Sequence, residues 1–501
     1  MSENFDELVF VCISYLLLSV FQGWLLNRSP TDHNAHLYII RETRQNRWKL
    51  PASPTSIINS SSWGAYPLVL HFIIGKLPSK IIPIVTLLQA SLFTVATGVL
   101  IVSYPILDSS VSNSVVLGLF LFSPFNFDVS NARNYGLGSR AAGQFFLIFF
   151  ILTTTWLVES TDIMSWVISI FAAMCVIAFN TFALQALIIF CVVAVFLSNW
   201  QPLFVTIIGT ICFFIIFGKY AYCYLRDTVI YWNTYRKYLA KVFILKNYPS
   251  YWLTPFIELP VIIKKNNWKR AAILIWKNTF VNSVLLNPLP WICVFILYNN
   301  VDSNDPVVQF YIAMFVAFFV TSIHFGRFWG EPHRYLEFLT PYAALMIFPV
   351  LHPAINTAFI YAFLVIGIQI AISVIMSRHL QFNKNELDRI EKIVSKKITH
   401  PVVFSNNNYT TKYFMKNDWK FIILWSIDRN LCGYKPHEAF ENYPFIGYEI
   451  CKKIISEYKP NVLILYDMEK EKISEIESQG YFSGYNEGKY HLLLASSDTN
   501  D

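Results

Sequence analysis

The chain has 501 residues, of which 55% are hydrophobic and only 14% charged, and its mean hydropathy is +0.43. That is too apolar and too poor in charge for a water-soluble globule, and apolar runs of bilayer-crossing length recur along the first three quarters of the chain. The formal net charge of +7 is modest, so membrane lipids rather than nucleic acid are the expected surroundings.

Hydropathy predicts a polytopic α-helical membrane protein with about eleven spans. The first, Leu8–Leu26, follows acidic Glu3, Asp6 and Glu7 rather than a basic leader and is too long for a signal-peptide core, so it reads as a retained span. The stretch SPTDHNAHLYIIRETRQNRWKLP (Ser29–Pro51) comes next and carries the densest charge near any span. Pro30 or Thr31 opens a helix there, with Asp32 at its positive end and His33, His36, Ile40 and Arg44 at roughly helical spacing. Asp32 reads either as a simple cap or as a carboxylate placed to activate a hydroxyl at the membrane surface. WGAYPLVLHFIIGKLP (Trp63–Pro78) is too short to span and reads as an interfacial helix with Trp63 and Tyr66 at head-group depth.

Further spans are expected over Ile81–Ile106, Val111–Phe127, Ala142–Val158, Ile163–Phe179, Phe182–Leu197 and Leu203–Ala221. The last four cover Val281–Tyr298, Val307–Ile323, Tyr335–Leu351 and Ile355–Met376. Between the third and fourth lies SPFNFDVSNARNYGLGSR (Ser123–Arg140), where Asp128 is a turn residue or a supporting carboxylate. Six of the eight cysteines sit in or beside apolar segments as small core residues; Cys432 and Cys451 form one disulfide or none, and no zinc-like spacing occurs.

After Met376 the composition changes. VVFS (Val402–Ser405), FIILW (Phe421–Trp425), VLILY (Val462–Tyr466) and YHLLLA (Tyr490–Ala495) read as strands, separated by helix-like YEICKKIISEY (Tyr448–Tyr458) and EKEKISEIESQ (Glu469–Gln479). This predicts two domains: a transmembrane domain over 1–376 and a small soluble α/β domain over 377–501 with a mostly parallel sheet. The second carries no GxGxxG and no Walker lysine, and its expected role is accessory.

Span parity gathers the basic residues on one face: Arg41, Arg44, Arg133, Arg140, Arg226, Lys264, Arg327 and Arg334 among them. Spans two to seven carry no Asp, Glu, Lys or Arg in their interiors, which speaks against a proton-coupled transporter or channel. A basic rim over an apolar bundle suits a substrate with an anionic head and a long hydrocarbon tail.

An acidic residue directly after the first span, a basic amphipathic helix and a YP-containing segment resemble the GT-C glycosyltransferases. The likeness extends to GRFWGEPHRYLEFLTPY (Gly326–Tyr342), where an RY pair leads into a late span followed by proline. The branch in question contains protein O-mannosyltransferases and the aminoarabinose transferase of lipid A. The resemblance implies an inverting transfer from a polyprenyl-phosphate-linked sugar to a lipid, glycan or protein acceptor. Within it, Asp32 is the base, with Asp128 as a second carboxylate. Arg334, His333, Arg327 and Tyr335 are expected at the donor phosphate, and His33, His36, Arg41, Arg44 and Glu331 at the sugar or acceptor. Related enzymes often place two acidic residues together in this loop, whereas here Asp32 precedes His33. No cofactor is certain; a divalent metal is possible but not favoured, although Asp32 and His36 are spaced i, i+4.

The positive-inside rule places the charged face in the cytoplasm, while the resemblance places it in a periplasm or an endoplasmic-reticulum lumen; the functional reading of the arginines favours the second. Competing readings are a lipid-linked glycan polymerase or ligase, a flippase using Asn180, Gln185 and Asn287 as an intramembrane path, and a non-catalytic scaffold.

Overall fold

The structure is a computed structural model. It describes the chain apart from residues 1–2, 27–31, 46–48, 52, 59, 61–62, 64–65, 104–112, 129–136, 161, 237–253, 277, 300–304, 324–325, 327–328, 352–354, 424–433, 435–437, 439–444 and 496–501. The chain folds as two compact units. One gathers residues 1–24, 83–218 and 244–373; the other gathers 25–82, 219–243 and 374–501.

In chain order the helices begin with α1 (Glu3–Leu26), α2 (Asp32–Gln45), α3 (Val69–Gly75), α4 (Ile82–Val102) and α5 (Asn113–Leu121). Next come α6 (Ser139–Ser160), α7 (Ile163–Phe179), α8 (Thr181–Phe196), α9 (Gln201–Thr234), α10 (Thr254–Lys264) and α11 (Trp268–Trp276). They continue with α12 (Thr279–Leu286), α13 (Pro288–Asn299), α14 (Pro306–Ser322), α15 (His333–Glu337), α16 (Thr340–Leu351) and α17 (Ile355–Lys397). Among the described residues, five stretches are long and apolar enough to cross a bilayer: Phe5–Leu26, Ile82–Val102, Ser139–Ser160, Gln201–Thr234 and Ile355–Ser377. Ile163–Phe179, Thr181–Phe196 and Pro306–Ser322 are shorter apolar helices. Exposed apolar side chains on α1 (Phe10, Leu17, Trp24), α9 (Phe204, Ile211, Ile215) and α17 (Ile360, Leu364, Ile368) form faces suited to lipid.

Among the described residues, four of the eleven expected spans are not continuous helices: over 203–221 the backbone leaves helical geometry at Gly218 (φ +49°), and three others break as follows. Over 111–127, α5 ends at Leu121 and a 3-10 turn at Pro124–Phe127 follows, because Ser123 is extended ahead of Pro124. Over 281–298 the helix breaks at Asn287, whose non-helical backbone precedes Pro288. Over 335–351 it breaks between α15 and α16, with Pro341 in the first turn of the second piece. A break inside an apolar unit leaves carbonyls that need donors. Asn287 Nδ2 supplies one to Leu336 O at 3.1 Å and Gln144 Nε2 supplies one to Glu337 O at 2.8 Å.

The core of this first unit is aromatic. Phe150 packs edge-on against Phe190 and Phe190 against Phe310, with centroids 6.3 and 5.7 Å apart, and Tyr342 adds its ring and a 3.2 Å hydrogen bond to Ile148 O. Helix α6 packs on α7 and α8, and α8 packs on α14. At Gly143 a Cβ would come within 2.4 Å of Asn180 Cβ, so only glycine lets α6 approach this turn. Asn180 caps α8, accepting from Ala183 N at 2.8 Å, and donates to Ser139 Oγ at 3.1 Å. Asn180 and Asn287, two residues of the flippase reading, thus serve helix ends.

The second unit is built on a five-stranded sheet: β1 (Val402–Ser405), β2 (Lys420–Ile422), β3 (Val462–Tyr466), β4 (Tyr481–Glu487) and β5 (Tyr490–Ala495), in the order β2-β1-β3-β5-β4. The expectation of a mostly parallel sheet is corrected. Pairs β1–β2 and β1–β3 are parallel, whereas β3–β5 and β5–β4 are antiparallel. The overlooked strand is β4, whose YFSGYNE lacks an apolar run but forms a hairpin with β5. Helices α18 (Asn408–Phe414), α19 (Tyr448–Tyr458) and α20 (Lys470–Glu477) complete the fold. Ile450, Ile454 and Ile455 of α19 and Ile473 and Ile476 of α20 bury against Phe404, Leu463, Leu465 and Leu493. Cys451 is a buried free thiol in this core, and Cys432 lies outside the described residues.

The same unit holds the first loop. Residues 56–58 lie along the outer edge of β2: Phe421 N donates to Ser56 O at 2.8 Å and Ile58 N to Phe421 O at 3.0 Å. Helix α2 packs on α18, with Asn34 Nδ2 donating to Tyr413 O at 3.0 Å and Arg41 Nη1 to Lys416 O at 3.2 Å. An otherwise open sheet edge is covered by the loop it supports.

Candidate active site

In the first unit the candidate residues gather where α15 begins. Gly330 has φ +107°, a conformation that L side chains rarely adopt. It turns the chain so that Glu331 O accepts from Arg334 N at 3.2 Å and Pro332 O from Tyr335 N at 3.1 Å, opening α15. Glu331 pairs directly with the Arg334 guanidinium, and His333 Nε2 lies 3.7 Å from the same carboxylate. Burial alone would push the Glu331 carboxyl up. Arg334 first, then His333 and Arg140 at the start of α6, outweigh it and hold that carboxyl below its usual value. The result is a partly buried group with more cationic than anionic residues. The Arg334 guanidinium also lies 5.9 Å from the Phe182 ring centroid, within cation–π range.

Tyr335 takes a different place from the expected one. It is fully buried, its ring packs on Phe182 at 4.6 Å, and its hydroxyl donates to Trp329 O at 2.9 Å. It fixes the turn that carries Glu331 and Arg334. Asp128 is buried at the end of the Pro124–Phe127 turn, next to Phe127 O, which Gln22 Nε2 holds at 2.7 Å. Arg327 lies outside the described residues.

In the second unit, Asp32 is the first residue of α2, and its side chain lies outside what is described. His33 is half-buried, and burial lowers its pKa. His36 Nδ1 is 3.0 Å from His71 Nε2 and 2.9 Å from Tyr66 Oη. Arg41 is tied to the α18 side by Lys416 O and, at 3.7 Å, by Asp418, and its guanidinium lies 5.6 Å from the Tyr38 ring centroid. Arg44 is exposed.

Sequence reasoning missed Glu42, which is 1% exposed. Its carboxylate accepts from Thr55 N at 2.9 Å, Thr55 Oγ1 at 2.6 Å, Ser56 N at 3.2 Å and the Ser56 hydroxyl. It locks residues 55–56 to α2 at the β2 edge contact, which Ser56 O itself makes. It missed His71 and Arg140 as well. The only signal for His71 was an ionisable residue inside an apolar run, and Arg140 looked like one more basic residue on a loop.

The structure therefore brings Arg140, Glu331, His333 and Arg334 together within one unit, and His36, Tyr66 and His71 together within the other. Among the described residues no three His, Cys, Asp or Glu side chains converge as a metal site.

No protein-family model and no curated protein sequence matches the chain. Solved structures do. The chain matches ArnT from Cupriavidus metallidurans in the apo state over 98% of both chains, at 9% identity and a TM-score of 0.56. ArnT from the same organism bound to undecaprenyl phosphate matches over 98% of both chains, at 11% identity and 0.55. The Archaeoglobus fulgidus oligosaccharyltransferase in its apo form matches over 92% of this chain and 69% of that one, at 11% identity and 0.53. At such identities the likeness is one of fold, and it runs through the membrane helices and the C-terminal sheet alike.

Proposed function

The chain has the GT-C glycosyltransferase fold, and on that premise we propose that it transfers a sugar from a polyprenyl-phosphate donor to a hydroxyl-bearing lipid, glycan or protein acceptor. The observation that carries this reading is the cationic group around Glu331, set in a fold that matches an undecaprenyl-phosphate-bound protein over nearly its whole length. Departure of a lipid phosphate places growing negative charge on its oxygens, and fixed cations stabilise that charge most where water is excluded. Arg334 has the fork geometry for two phosphate oxygens. Glu331 and Phe182 contact it, and Arg140 adds charge. In this reading Arg327 assists at the phosphate, and Asp128, His33, His36, Arg41 and Arg44 support the donor or acceptor.

Asp32 serves as the base. It takes the proton from the acceptor hydroxyl, whose oxygen bonds to the anomeric carbon while the carbon–oxygen bond to phosphate breaks. Polyprenyl phosphate leaves with the electron pair, and the anomeric configuration inverts. The catalytic face is periplasmic in a bacterium or lumenal in the endoplasmic reticulum.

The test is an assay of purified protein in detergent, without vesicles, using a radiolabelled polyprenyl-phosphate sugar and candidate acceptors. Labelled product supports transfer. Translocation of the lipid-linked sugar in proteoliposomes, with no product in detergent, would instead indicate a flippase.

A further inference from the structure

In the second unit, α19, the residues that lead from it into β3 and the start of β4 enclose an open cleft of about 900 Å³. Small-molecule sites are of this size, roughly 300–1,000 Å³. Three lysines line it: Lys452, Lys453 and Lys459. Glu449 is the carboxylate on its wall, while Glu457 of the same helix lies outside the lining. Lys452 pairs with Glu475 and also interacts with Glu449. Lys453 and Lys459 are exposed, and neither has a carboxylate partner among the described residues. Lys459 has φ +45° and ψ +56°, the left-handed conformation in which a helix usually ends on glycine. A lysine there carries a conformational cost that glycine escapes, and it lines the cleft.

The rest of the wall is polar and aromatic. Ser456 and Gln479 are exposed, and their side chains make no hydrogen bond among the described residues. Tyr481 packs on the apolar core, and its hydroxyl donates to Pro460 O at 2.6 Å. Tyr434 packs on the same core, with the Lys453 ammonium 5.2 Å from its ring centroid. Among the described residues, none of this unit's exposed large apolar side chains lines the cleft, which sets it apart from a lipid-docking surface.

We propose that this cleft binds an acidic saccharide, one whose sugar rings carry carboxylate or phosphate groups. Lys453 and Lys459 meet the anionic groups through charge-assisted hydrogen bonds. Ser456 and Gln479 meet sugar hydroxyls, and the anchored Tyr481 ring meets the apolar face of a sugar. The choice of a saccharide among hydroxylated anions rests on the glycosyl-transfer reading, in which such a molecule belongs to the class of the acceptor glycan.

The test reads binding, so its outcome is separate from that of the transfer assay. The full chain, in a detergent without a sugar head group, is titrated by calorimetry with tri-galacturonate, maltotriose and inorganic phosphate at constant ionic strength. Stoichiometric binding of tri-galacturonate is expected, about ten-fold or more tighter than maltotriose or phosphate. The double variant Lys453→Gln/Lys459→Gly should weaken it by about ten-fold or more. The thermal midpoint of that variant should stay level or rise, because glycine suits the backbone at 459; a merely structural role for the two lysines would lower it. No binding of tri-galacturonate, equal affinity for maltotriose or phosphate, or equal affinity in wild type and variant would overturn the proposal. Binding without transfer would sink the transferase reading and keep the site, whereas transfer without binding would sink the site alone.

Discussion

The Glu331–Arg334 pair binds two readable effects to one carboxylate. If Arg334 meets the leaving phosphate, Arg334→Ala should lower turnover by about 10²–10³-fold, and Arg334→Lys should restore little because an ammonium cannot fork. Steady-state transfer assays check this. Because the Glu331 carboxyl is held below its usual value, its contribution to stability is present above the unfolded-state value and is lost as pH falls through the lowered one. Thermal unfolding in detergent should therefore show wild type losing stability more steeply than Glu331→Gln as pH falls from about 5 to 3. Parallel curves would remove the ion pair from the account. Tyr335 shows what a motif conceals. The RY pair suggests two ligands for one phosphate, but fold and packing give the tyrosine hydroxyl to Trp329 O.

Among the elements, α2 matters most to the account, and its position is set by Glu42 and by the C-terminal sheet. Glu42→Ala removes four acceptor contacts from a buried site and should cost about 3 kcal/mol. Hydrogen exchange should show residues 53–58 opening in that variant, with β3 and β5 unchanged. Helix α2, α19 and the strands β1, β3 and β5 were legible because each has a clear period or a dense apolar run. The interruptions over 111–127, 281–298 and 335–351 were not. Hydropathy sums over a window, while Pro124, Pro288 and Pro341 act at single positions and their carbonyls are rescued by distant side chains such as Gln144. Strand β4 escaped because it presents few apolar residues and takes its register from β5.

For the whole molecule, composition alone identified the membrane class, whereas the partition of the chain could not be read from it. The C-terminal residues share a unit with 25–82, because contacts such as Phe421 with Ser56 and Tyr413 with Asn34 join positions more than 300 residues apart. The C-terminal sheet region thereby acquires a physical role, that of holding the helix that Asp32 opens. Arg41→Ala combined with Asn34→Ala should raise hydrogen exchange across α2 while leaving the sheet protected. The most direct test of the central claim compares wild type with Asp32→Asn, purified in detergent and supplied with a labelled polyprenyl-phosphate sugar and acceptor. The account predicts labelled product from wild type and none from Asp32→Asn, with both proteins equally folded. Equal turnover by the two would contradict it.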